Sequence, residues 1–165
     1  SLALTTAGLA LNEAAIDCYV AYPAAARFGF EIACGLGTWI NEFDFTLGRV
    51  SSQVRYVMGV TWIAATGTLS VVVPAGEDGL LATGFSLGGG ATKWHVLKVV
   101  ADFDTGKYVR LLADNTAFNL SSLSLWSSAA VGVDDQLELH VATFADLGHT
   151  NVSYVDDIIV TQNEP

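Results

Sequence analysis

The chain has 165 residues, 52% of them hydrophobic and only 15% charged, with a formal net charge of −10. That length makes one domain with room for a full core. Its 17 acidic residues outnumber 7 scattered basic ones, which excludes a nucleic-acid backbone and an anionic membrane as partners, because both would be repelled. An average soluble domain is about 25% charged. A chain this poor in charge leaves apolar side chains on its surface or covers them with other copies of itself, and such patches mark interaction sites.

Residues 1–11 alternate leucine with small side chains and are expected to form an edge strand or an arm. Leu2, Leu4, Leu9 and Leu11 would then add to a neighbouring sheet. Residues 14–22 follow as a strand, then 28–34 and 38–49, the last two separated by Gly35-Leu36-Gly37. Alternation in the third strand puts Asn41, Phe43, Phe45 and Leu47 on one face and Ile40, Glu42, Asp44 and Thr46 on the other. The longest uncharged run, residues 56–76, is long enough to cross a membrane. It is nevertheless rich in Val and Thr and carries Thr66-Gly67 at its middle and Pro74 near its end, so two strands around a turn are expected, not membrane insertion.

Residues 80–87 read as a short strand and Gly88–Gly90 as a hinge into the most informative stretch, 93–113. Residues 93–102 are dense in Val, Leu and Trp, 108–113 are apolar again, and Asp104-Thr105-Gly106-Lys107 between them is a hairpin turn. In its first half Trp94, Val96 and Val100 share one face, and Leu97, Val99 and Ala101 the other, so a central strand covered on both sides is expected. Residues 118–133 carry no charge and read as a long irregular loop. Residues 136–144 and 151–161 are the last strands. No helix of normal length is indicated, and short strands between Gly and Asp turns predict an all-β, antiparallel two-sheet β-sandwich or jelly roll.

Trp94-His95-Val96-Leu97-Lys98-Val99-Val100, the turn after it, and the closing Tyr154-Val155-Asp156-Asp157-Ile158-Ile159-Val160 resemble the concanavalin A-like lectin/glucanase superfamily, in particular its laminin-G-like and bacterial lectin-like modules. The motifs cover the chain from residue 93 onward, and the first half only in strand count. The resemblance implies the sandwich fold and carbohydrate binding, and it speaks for fold better than for function.

Glu42-Phe43-Asp44 places two carboxylates on one strand face, a spacing glycosidases can use. Glucanases of the superfamily resemble E-x-D-x-x-E or E-x-D-x-E here, but Thr46 and Leu47 stand where the second Glu would be. Retaining hydrolysis needs both carboxyls, so the expectation is a solvated strand face and no enzyme. Asp102, Asp104, Asp156 and Asp157 are candidate ligands of a structural calcium, which takes carboxylate and carbonyl oxygens; ordinary turn chemistry accounts for them equally. No other cofactor is indicated. His95, His140 and His149 lack metal spacing, and the first two are expected as hydrogen-bonded core or interface residues.

Cys18 and Cys34 either form a disulfide, implying an oxidising compartment, or pack as free thiols. Trp39 and Trp126 are candidates to stack on sugars beside Glu42 and Asp44, with Trp94 expected in the core. Asn119 and Asn151 head glycosylation triplets. The leading expectation is a non-catalytic subunit that assembles with copies of itself in an extracellular, cell-surface or virion structure. The alternatives are a lectin-like carbohydrate-binding module and, third, a glycoside hydrolase using Glu42 and Asp44.

Overall fold

The computed structural model describes residues 1–6, 12–21, 25–87 and 93–165. Among them are thirteen strands: β1 (Leu2–Thr6), β2 (Glu13–Ala21), β3 (Arg27–Gly35), β4 (Ile40–Ser51), β5 (Val54–Ile63), β6 (Thr68–Val71), β7 (Leu80–Ala82), β8 (Trp94–Asp102), β9 (Lys107–Ala113), β10 (Thr116–Asn119), β11 (Trp126–Ala129), β12 (Gln136–Ala145) and β13 (Asn151–Gln162). They form two antiparallel sheets. One is six-stranded, in the order β1-β13-β3-β8-β9-β10; the other runs β2-β12-β4-β5-β6-β7, with β11 also paired to β5. The uncharged run 56–76 is β5 and β6 around a turn, as its composition predicts.

The β8–β9 hairpin closes as expected. Asp102 Oδ1 accepts the backbone N–H groups of Asp104 and Thr105 at 3.1 and 3.0 Å, and Gly106 takes a φ of +64°, which a glycine adopts without strain. Leu97, Val99 and Ala101 enter the core. The outer face of β8 differs from expectation, since Trp94 and Val96 are exposed and only Val100 is covered. The cover is the C-terminal segment, whose Glu164 bonds Lys98 at 2.7 Å and Arg110 at 3.2 Å.

The core is one cluster between the sheets, built on Phe28, Phe30 and Ile32 of β3, Phe43, Phe45 and Leu47 of β4, and Met58 and Val60 of β5. Phe30 meets Phe45 edge-on across the interface at 5.4 Å. Tyr108 crosses the same interface. Its hydroxyl accepts the N–H of Gly59 at 3.0 Å and donates to the carbonyl of Val72 at 2.7 Å, so a fully buried phenol pins β9 to β5.

Several expectations need correction. Residues 2–6 are the edge strand that was one of the two alternatives, paired with β13 of this chain's own sheet and not with a neighbouring one, and Leu4 is buried in its own core. Leu2 is exposed, while Leu9, Leu11 and Gly88–Gly90 lie outside the described residues. Residues 118–133 are not one irregular loop, because β10 extends the six-stranded sheet and β11 crosses to pair with β5. Ile40 is buried with Phe43, because the β12–β4 register shifts at Phe144/Ala145 and breaks the alternation above Glu42. Cys18 and Cys34 are both free: one is exposed on the edge strand β2, the other buried on β3 in the opposite sheet.

Candidate functional site

Strand alternation buries Phe43, Phe45 and Leu47 and so turns Glu42, Asp44 and Thr46 outward. Register extends that outward face across the sheet. Asp17 of β2, His140 of β12, Thr46 of β4 and Gly59 of β5 form one row. The next row toward one end holds Ala15, Ala142, Asp44 and Thr61; the one beyond it holds Glu13, Phe144, Glu42 and Ile63. On the other side lie Tyr19, Glu138, Gly48, Val57 and Trp126.

Two pairs stand on this face. Glu42 and Asp44 are two residues apart on β4, with their carboxyls turned to the same side of the sheet. Partial burial, then the Asp44 charge, pushes Glu42 up from 4.5 to about 7. Burial also raises Asp44, against hydrogen bonds from Thr61 and Glu42 and the nearby His140. Asp44 Oδ1 is closed off from solvent and has no hydrogen-bond partner. The second pair is His140 Nδ1 with Asp17 Oδ1 at 2.9 Å. His140 Nε2 is 3.6 Å from Glu13, beyond hydrogen-bond length. As a diagonal cross-strand neighbour, Asp44 has its Cα about 7–8 Å from that of His140.

Glu42, Asp44 and Trp126 therefore belong to one face. Trp39 does not join the rows. It lies in the β3–β4 connection, its indole stacked on His149 with centroids 3.9 Å apart. Sequence reasoning missed Glu13, Asp17, Tyr19 and Glu138, and placed His140 in a core or interface. A cleft of about 750 Å³ beside Trp62 and Phe85 has no titratable group among its described lining residues.

The candidate calcium ligands are not brought together. Asp102 pairs with Arg27 in the β8–β3 register and Asp156 with Ala33 on β3, six residues away, or about 20 Å along a strand. Asp102 is engaged by its own turn and by Arg27, and no cluster of three metal-ligating side chains occurs among the described residues. Trp94 is exposed, against expectation, whereas His95 is buried with Nδ1 2.7 Å from Asp114 Oδ2. Asn151 is buried too, donating to Ser153 Oγ at 2.9 Å, and is closed to glycosylation in the folded chain.

No protein-family model matches the chain, and no curated protein matches it in sequence. Solved structures do. A mutant of alginate lyase Aly36B in complex with an alginate trisaccharide is 10% identical, with a TM-score of 0.56 over 98% of this chain and 81% of that one. A sialidase is 7% identical, with a TM-score of 0.52, matching 93% of this chain to 15% of that one. The carbohydrate recognition domain of Emp46p, potassium-bound, is 9% identical with a TM-score of 0.49 over 92% of this chain and 81% of that one. The likeness to the alginate lyase corrects the expectation against an enzyme. That expectation rested on one missing hydrolase glutamate, and alginate lyases are enzymes built on this same sandwich. The chain has the concanavalin A-like jelly-roll fold.

Proposed function

We propose that this protein acts on carbohydrate, with its site on the outer face of the seven-stranded sheet. The observation that carries this reading is the meeting, on one open face, of two neighbouring carboxyls, Glu42 and Asp44, with an imidazole held by a carboxylate, His140–Asp17. Glu42 stays partly protonated near neutral pH, as a general acid requires. The two carboxyls are too close to flank a sugar, since even retaining enzymes keep theirs about 5–5.5 Å apart. They act as one acid unit, and His140 stands where a partner would.

In the reaction this supports, the Glu42–Asp44 pair gives its proton to the leaving glycosidic oxygen as the bond to the anomeric carbon breaks. Water adds to that carbon, and the proton it loses passes to His140 Nε2, with Asp17 holding the ring and stabilising its charged form. A second reading, a carbohydrate-binding face, is favoured by the exposed aromatics Tyr19 and Trp126 at the two ends of one row.

The test is product release from a panel of neutral, amino-bearing and uronate polysaccharides, read by reducing ends and by absorbance of unsaturated products. New reducing ends without unsaturation, lost in both Glu42→Gln and His140→Asn, support hydrolysis. Binding without product, unchanged in Glu42→Gln, supports the second reading. Neither binding nor product from any glycan overturns both.

A further inference from the structure

The proposed glycan face has a shape and a charge that together name a class of ligand. The row Tyr19–Glu138–Gly48–Val57–Trp126 crosses five strands, and both terminal aromatics are exposed, Tyr19 by 65% and Trp126 by 36%. Four strand spacings put those aromatics about 19 Å apart. Between them the glycines are overlain by neighbouring side chains: a Cβ on Gly48 would come within 3.2 Å of Glu138 Oε2, and one on Gly59, in the adjoining row, within 2.6 Å of Thr46 Cγ2. An open face with an exposed aromatic at each end of one row fits a chain of rings lying across the strands.

The charge on this face is one-sided. Glu13, Asp17, Glu42, Asp44 and Glu138 all face outward here. The fixed cation among them is Arg55, and Glu138 holds it with bonds of 2.7 and 2.9 Å. Other basic side chains are engaged elsewhere: Arg27 by Asp102, Arg49 by Asp104, and Lys98 and Arg110 by Glu164. A uronate or sulfate placed on this face would meet carboxylates with no open guanidinium or ammonium to receive it.

We propose that the face takes a glycan carrying protonated amino groups, a glucosamine-type polymer, with sugar rings on Tyr19 and Trp126 and ammonium groups toward the exposed carboxylates of Asp17 and Glu13. This rests on the glycan-site reading above and narrows it. Charge complementarity selects the class, and the aromatics set the direction of the chain across the strands.

The experiment is calorimetric titration of the full chain, at low and high salt, with hexamers of glucosamine, N-acetylglucosamine and glucose and with an oligouronate. The glucosamine hexamer should bind about tenfold more tightly than the uncharged hexamers, lose that advantage at high salt, and bind more weakly to Trp126→Ala. The double variant Glu13→Gln, Asp17→Asn should lose the preference while retaining the Trp126-dependent binding of uncharged hexamers. Equal or tighter binding of a neutral hexamer, or any binding of the oligouronate, overturns the charge class and leaves the glycan site standing. Glucosamine binding indifferent to both variants is non-specific attraction to an acidic protein and also overturns it. No binding by any hexamer removes the site itself.

Discussion

Glu42 shows how one residue can couple the candidate chemistry to stability. Its folded value, raised from 4.5 to about 7 by burial first and Asp44 second, makes its protonated form the one the fold prefers. The stabilisation tied to that proton is complete below about 4.5 and is lost as pH rises through about 7. Urea unfolding across that window should show the native chain losing stability relative to Glu42→Gln as pH rises. A constant difference between the two would mean that Glu42 does not hold its proton across that window. Tyr108 makes a second residue-scale case. Phenylalanine there keeps the packing but leaves the N–H of Gly59 and the carbonyl of Val72 without the hydroxyl, a cost of about 1–3 kcal/mol in denaturant unfolding.

At the scale of elements, buried polar ties hold the strand ends. Asn151 at the start of β13 bonds Ser153 and Thr143, Ser153 accepts the N–H of Gly37, and Thr6 of β1 closes the set. A methyl on Gly37 would lie 2.1 Å from Asn151 Oδ1 and 2.4 Å from the carbonyl of Val152. Gly37→Ala should therefore cost about 1–3 kcal/mol, read as a lower denaturation midpoint at unchanged slope. On the opposite sheet, Glu164→Ala should release the terminal segment from Lys98 and Arg110. Faster amide exchange in β8 and β9 around Val100 would report it, and unchanged exchange there would mean the cover is not held by this carboxylate.

Much of this level was legible in the chain. The β8–β9 hairpin announced itself by its Asp-Thr-Gly turn, and the outward set Glu42, Asp44 and Thr46 by the alternation of Phe43, Phe45 and Leu47. His140, expected as a hydrogen-bonded core or interface residue, is hydrogen-bonded but half-exposed, and its neighbours depend on register. Asp17 and Thr46 stand beside it, over a hundred and about ninety residues away in sequence. A signal was present, since Gln136, Glu138 and His140 alternate with Leu137, Leu139 and Val141 and so put His140 on a polar face. Leu4 was misjudged for the complementary reason: an apolar alternation says that a face is covered, but not by which chain.

For the whole molecule, the account comes down to which of two sheet faces meets a ligand. The six-stranded sheet offers exposed Trp94 and Val96 and a segment strapped by Glu164. The seven-stranded sheet offers the carboxyl pair, the Asp17–His140 pair and the exposed aromatics Tyr19 and Trp126. Backbone amide shifts in a heteronuclear NMR titration with the tightest-binding glycan hexamer separate them directly. Perturbations running through Tyr19, Glu138, Gly48, Val57 and Trp126, with His140 and Asp44 beside them, are the predicted result. Perturbations centred on Trp94, Val96 and Tyr154 of the six-stranded sheet, with those residues silent, would contradict it.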